Sequence, residues 1–286
     1  MESKSLKLTN FIIKPLLILL ISYIFLNKVN ALSCHEDVNY CTDVRVGGGI
    51  HYDSLKILNI DFQNTGVFFN ALGSIYWKNA MYFGMEVVFG IGYSHINGSL
   101  NHTINANGMQ NQTPYNTQNN ANDIAIKIQG VYEMGAAIGK LTNPLILTLN
   151  LTIDGHGLGS HFRDKKLNSG FGFLGFGVFF RQSITNDIIL EYKLVYGYNI
   201  LNTHRSYFFN TSNNNGNGGH RIEGSLALLS KRNGIGNKKF NFYTRLKGVW
   251  QRIYGYNIMR YDSNLNVYPQ SDNFMVTLEF GSTIKW

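Results

Sequence analysis

Along most of its length the chain places an apolar side chain at every second position, and this period of two confines it to β-strands more firmly than any other feature. The end is clearest. Phe274, Val276, Leu278, Phe280, Ile284 and Trp286 share one face, while Thr277, Glu279, Thr283 and Lys285 share the other. A slip of one residue in register would turn every one of them over. The pattern recurs from Met81 to Tyr93 against Glu86, from Ile124 to Met134 against Lys127, Gln129 and Glu133, and from Leu145 to Ile153 against Thr148, Asn150, Thr152 and Asp154. It returns from Ile188 to Tyr198 against Glu191 and Lys193, and from Phe240 to Trp250 against Asn241, Arg245, Lys247 and Gln251. Weaker segments run over 44–52, 67–78, 170–180 and 221–229. Together these predict an all-β chain of about ten strands, or of eight or twelve if a weak segment is miscounted.

The connections discriminate between architectures. Predicted gaps run long at 53–65, tight near Asn79, long at 96–121, short at 139–144, long at 158–169, tight near Asn186, long at 201–219, short at 232–238 and long at 254–272. An up-and-down antiparallel transmembrane barrel keeps that phase, with short turns on one side and long loops on the other. A Greek-key sandwich has no reason to. The clearest segments are long enough for a tilted bilayer crossing. Only 15% of residues are charged, well below the quarter or so usual in a soluble domain. Residues 97–122 and 210–219 are rich in Asn, Gln, Ser, Thr and Gly, a composition that cannot bury a core. Asn-x-Ser/Thr triplets there are frequent by chance in so Asn-rich a chain and are given no glycosylation. Trp77, Tyr93, Tyr198, Tyr254 and Trp286 fall near predicted strand ends, where a lipid-facing band carries its aromatic edge.

The start of the chain reads as an export signal. Lys4, Lys7 and Lys14 precede an apolar run from Pro15 to Leu26, and Val29-Asn30-Ala31 offers small residues for cleavage. The run is too short for a membrane-spanning helix. The expected division is therefore a signal peptide over 1–31, a short periplasmic segment over 32–43 and a barrel over 44–286. Of the net charge of +8, three units lie within 1–31, and the remaining bases are scattered rather than clustered, which excludes a nucleic-acid partner. Cys34 and Cys41, the only cysteines, suit a local disulfide in an oxidising compartment and make a poor zinc site.

The terminal residues Glu279-Phe280-Gly281-Ser282-Thr283-Ile284-Lys285-Trp286 resemble the assembly signal of bacterial outer-membrane β-barrels: a polar residue, Gly two places on, an apolar residue three further, and a terminal aromatic. Glu279, Gly281, Ile284 and Trp286 occupy the defined positions. The resemblance implies a Gram-negative outer-membrane location, insertion by the barrel assembly machinery, and contact with the bilayer and its lipids. It implies no activity. Ten strands are also found in the omptin proteases and in some adhesins, which work at the extracellular rim. The paired Asp and the Asp-His motif of the omptins do not map onto this sequence.

By parity, Arg45, Lys127, Lys193, Arg221, Arg245, Lys247 and Lys285 point inward together with Glu86, Glu133, Asp154, Glu191, Glu223 and Glu279. So narrow a barrel leaves little more room than its own side chains need, which predicts an ion-paired, plugged interior. His51, His95, His102, His156, His161, His204 and His220 map to one end or its loops. His51, Asp154 and His156 form the candidate rim site, a polar rim that gathers histidines without purpose being the plainer reading. No nucleotide-binding glycine pattern, nucleophile elbow or ordered metal motif is present, so no catalytic residue, cofactor or metal is assigned. Three functions remain: an adhesin-like or structural surface protein contacting a host or cell-surface ligand through its Asn-rich loops, a narrow porin-like solute channel, and an enzyme at the extracellular rim.

Overall fold

The computed structural model describes residues 40–57, 60–98, 105–106, 109–110, 121–140, 143–159, 167–185, 188–205, 218–233, 239–258, 266–268 and 270–283. Ten antiparallel strands close into one barrel: β1 (Tyr40–Ile57), β2 (Ile60–Trp77), β3 (Met81–Gly98), β4 (Ala121–Lys140), β5 (Asn143–Gly159), β6 (Leu167–Ser183), β7 (Ile188–Arg205), β8 (Gly219–Asn233), β9 (Lys239–Ile253) and β10 (Ser271–Thr283). Each strand pairs with its neighbours in sequence, and β1 pairs with β10 from Arg45↔Thr283 to Ile57↔Ser271 to complete the ring. This is the up-and-down all-β barrel expected, with the strand count settled at ten. Two short ribbons, Asn105–Ala106 with Met109–Gln110 and Tyr256–Ile258 with Asn266–Tyr268, lie in the connections.

At one end the strands are joined by residues 78–80, 141–142, 184–187 and 234–238, and at the other by 99–120, 160–166, 206–218 and 254–270. The first connection departs from expectation. In place of the gap predicted at 53–65, β1 and β2 stay paired from Tyr40↔Trp77 to Ile57↔Ile60. The polar content of this stretch reads as a loop, yet Asp53 and Asn64 point into the lumen and bond each other there, so the ladder continues. The first strand likewise opens at Tyr40, within the segment expected to precede the barrel. At the tight turn after β2, Asn79 takes a positive φ of 50° and its side-chain oxygen accepts the Gly139 amide at 2.9 Å.

The outer wall is apolar: Leu149, Phe176 and Leu194 are each 60% exposed. The inner wall holds the ionisable groups. At the closing seam glycine lets the paired strands approach closely, since a Cβ on Gly49 would stand 1.9 Å from the Leu278 carbonyl oxygen. On the inner wall the Tyr243 side chain lies over Gly47 and Gly281, where a Cβ would meet it.

Candidate functional site

The inward side chains form tiers across the lumen. Nearest the short-turn end, Arg45 of β1 donates to Asp43 and to both oxygens of Glu191 on β7 at 2.6 Å. Arg181 of β6 donates to Glu191 and Asp43 at 2.7 Å and to the Tyr76 hydroxyl at 3.2 Å. In the middle tier, Arg245 of β9 donates to Glu279 at 2.8 Å and to Glu86 of β3 at 2.5 Å. Asn70 of β2 donates to the same two carboxylates, and Tyr243 donates its hydroxyl to Glu279. Lys247 lies 3.3 Å from Glu223 and donates to Gln129 on β4, while Lys193 pairs with Glu133 at 2.7 Å. Strands β1 and β7, and β3 and β9, are not neighbours, so these bonds run across the interior. A buried charge is tolerated only when paired and hydrogen-bonded, and here each arginine bridges two carboxylates.

The tier nearest the long-loop end is built differently. Arg221 of β8 pairs with Glu223 at 2.7 Å and reaches Asp154 of β5 at 3.3 Å, and Gln251 of β9 donates to Asp154 at 2.8 Å. Beside them the His156 imidazole lies 3.3 Å from Asp154 and 3.7 Å from Asp53 on β1. His51, Asn64 and Lys127 join Asp53 and His156 around a cavity of about 20 Å³, with Leu55, Phe62 and Ala125 completing its wall; that is space for roughly one water. Four buried atoms of the cluster, His51 Nδ1, Asn64 Oδ1, Asp154 Oδ1 and His156 Nε2, have no aligned hydrogen-bond partner. Such atoms are costly to bury, and an imidazole set between two carboxylates can hold a proton or take one from a bound molecule. No group of three His, Cys, Asp or Glu among the described residues is arranged to hold a metal ion.

The structure thus brings His51, Asp154 and His156 into one cluster. It leaves His220 apart, stacked among tyrosines with its Nδ1 2.6 Å from the Tyr196 hydroxyl. His95 lies on β3 and His204 on β7, while His102 and His161 fall outside the described residues. Asp53 and Asn64 belong to this cluster although the sequence pattern does not mark them. Asp53 sits two residues from His51, so the strand period would have exposed it had β1 been extended. Glu279 and Gly281 lie in β10, where Glu279 is 1% exposed in the middle tier. Ile284, Lys285 and Trp286 lie outside the described residues, as do segment 1–31 and Cys34; Cys41 is disulfide-bonded and fully buried.

No protein-family model matches this chain, and no curated protein does. Among solved structures it is similar to the outer membrane protease OmpT from Escherichia coli, at 9% identity over 87% of this chain and 97% of that one with a TM-score of 0.48. It is also similar to an outer membrane channel from Pseudomonas putida F1, at 8% identity over 90% and 98% with a TM-score of 0.35. The beta domain of the Bordetella autotransporter BrkA matches at 8% identity over 82% and 98%, with a TM-score of 0.34.

Proposed function

We propose that this chain is an integral outer-membrane β-barrel, exported by its first 31 residues, whose work is done at the cell surface by the long Asn-rich connections, in the manner of an adhesin or a structural surface protein. The observation that carries this reading is the inversion of the walls: apolar outside over the full ring, ionisable and ion-paired inside. Hydrocarbon suits the first, and the second leaves little continuous aqueous path. The short-turn end then faces the periplasm and the long connections face outward toward a host or cell-surface ligand. Under this reading Glu279, Gly281, Ile284 and Trp286 serve recognition by the assembly machinery, and Cys34 is the expected disulfide partner of Cys41.

The test is fractionation followed by electrophoresis in mild detergent with and without boiling. The expected outcome is recovery in the outer membrane, a mobility shift on boiling, and protease cleavage of the unboiled form within the connections between strands at the long-loop end, 99–120 and 206–218 first. Recovery in the soluble periplasm with no shift would overturn the membrane reading. In a planar bilayer the intact barrel is expected to be silent, and steady single-channel steps would restore the channel reading instead. An enzyme at the rim, acting on lipid or peptide, is a second reading favoured by the convergence of His156, Asp154 and Asp53. It requires a turnover on a panel of such substrates that His156→Ala abolishes.

A further inference from the structure

Every other cross-lumen ion pair described above joins an arginine or a lysine to a carboxylate, and such a pair is charged at any ordinary pH. The contact between His156 of β5 and Asp53 of β1 differs, since it is an ion pair only when the imidazole carries a proton. These two strands lie far apart around the ring, so the contact spans the interior near the long-loop end. We propose that it is a proton-operated latch: acid closes it and pins β1 to β5 across the outer part of the lumen, and neutral pH releases it.

The surroundings favour closure in acid. From β5 itself, Asp154 lies 3.3 Å from the His156 ring, and from β1, Asp53 lies 3.7 Å away. The opposing charges are Lys127 of β4, Arg221 of β8 and, once protonated, His51 of β1. Arg221 is engaged with Glu223 and Asp154, and Lys127 donates to the Met275 sulfur. Asn64 of β2 donates to Asp53 and Gln251 of β9 to Asp154, which holds both carboxylates in place. The uncharged Phe171 ring, centred 6.3 Å from the imidazole, closes the side toward β6. The orphaned His156 Nε2 and Asp154 Oδ1 are the two atoms that a proton would join. Proton uptake that makes a new ion pair in the folded state stabilises that state as pH falls.

The experiment is thermal unfolding of the full barrel in mild detergent, followed by loss of β-sheet circular dichroism, at about pH 8 and about pH 5, the interval over which imidazoles titrate. The unaltered protein should unfold several degrees higher at the acid end. His156→Gln keeps the size and polarity of the side chain without the charge and should remove most of that rise. Asp53→Asn should do the same while leaving the histidine in place, and either variant suffices if the other does not fold. His51→Gln removes a competing cation, so the rise should persist or grow. A wild-type midpoint that is flat or falls toward acid overturns the latch, as does a rise that survives in both His156→Gln and Asp53→Asn.

Discussion

The two halves of the lumen obey the same parity but not the same accounting. Toward the short-turn end Arg45, Arg181 and Arg245 each bind two carboxylates, and Tyr76, Asn70 and Tyr243 bond to what remains. Toward the long-loop end the cluster of His51, Asp53, Asn64, Asp154 and His156 keeps buried polar atoms without aligned partners around a small cavity. Unpartnered buried atoms occur in both halves, Asn70 Oδ1, Glu86 Oε2, Gln129 Nε2 and Thr283 Oγ1 among them, but more of them lie toward the long-loop end, and departures from local consistency concentrate where a molecule works. The comparison also separates charge that is permanent from charge that is conditional.

The sharpest way to break this contrast is to remove the middle cation. Arg245→Met should leave Glu86 and Glu279 facing each other, with Lys247 3.7 Å from Glu86 as the remaining base. Breaking a buried pair from one side costs about 3–5 kcal/mol. The expected result is a large drop in the urea midpoint of the detergent-folded barrel, or failure to form the fast-migrating band. A midpoint within error of wild type would mean that the tier is hydrated and its ion pairs are weak.

Arg221→Met probes the boundary between the halves and should cost less, about 1–3 kcal/mol. Asp154 would keep the Gln251 amide, and Glu223 would keep Lys247 at 3.3 Å. If its effect equalled that of Arg245→Met, the two halves would be one network and the proposed division would fail.

Much of this is legible in the sequence. Parity alone put Arg45, Lys127, Lys193, Arg221, Arg245 and Lys247 inside with Glu86, Glu133, Asp154, Glu191, Glu223 and Glu279, and the alternation of gap lengths gave the topology. Parity, however, names a face and never the strand opposite. That Glu86 meets Arg245, or His156 meets Asp53, depends on ring closure and on strands four apart. Arg181 and Asp43 escape for a simpler reason: each lies beyond the apolar run that marks its strand, although the strand continues. The β1–β2 hairpin fails for a third reason. Ile50 and Tyr52 face outward, but beyond them Leu55 and Phe62 are apolar and inward while Ser54 and Lys56 face away. The apolar signal changes face near the rim, so an unbroken ladder reads as a loop.

The smallest expected effect is the most specific to the outer tier. Asp53→Asn at neutral pH should change stability by less than about 1 kcal/mol, since an amide oxygen can still accept the bond that Asn64 donates. The same carboxylate deletion at Glu86 or Glu279 would strip a partner from a permanent cation and cost far more. A penalty at Asp53 near that of Arg245→Met would show that this carboxylate already balances a full positive charge at neutral pH. Lys127, which shares its cavity, would then be the partner, and the two halves of the lumen would differ in geometry while sharing one rule of permanent pairing.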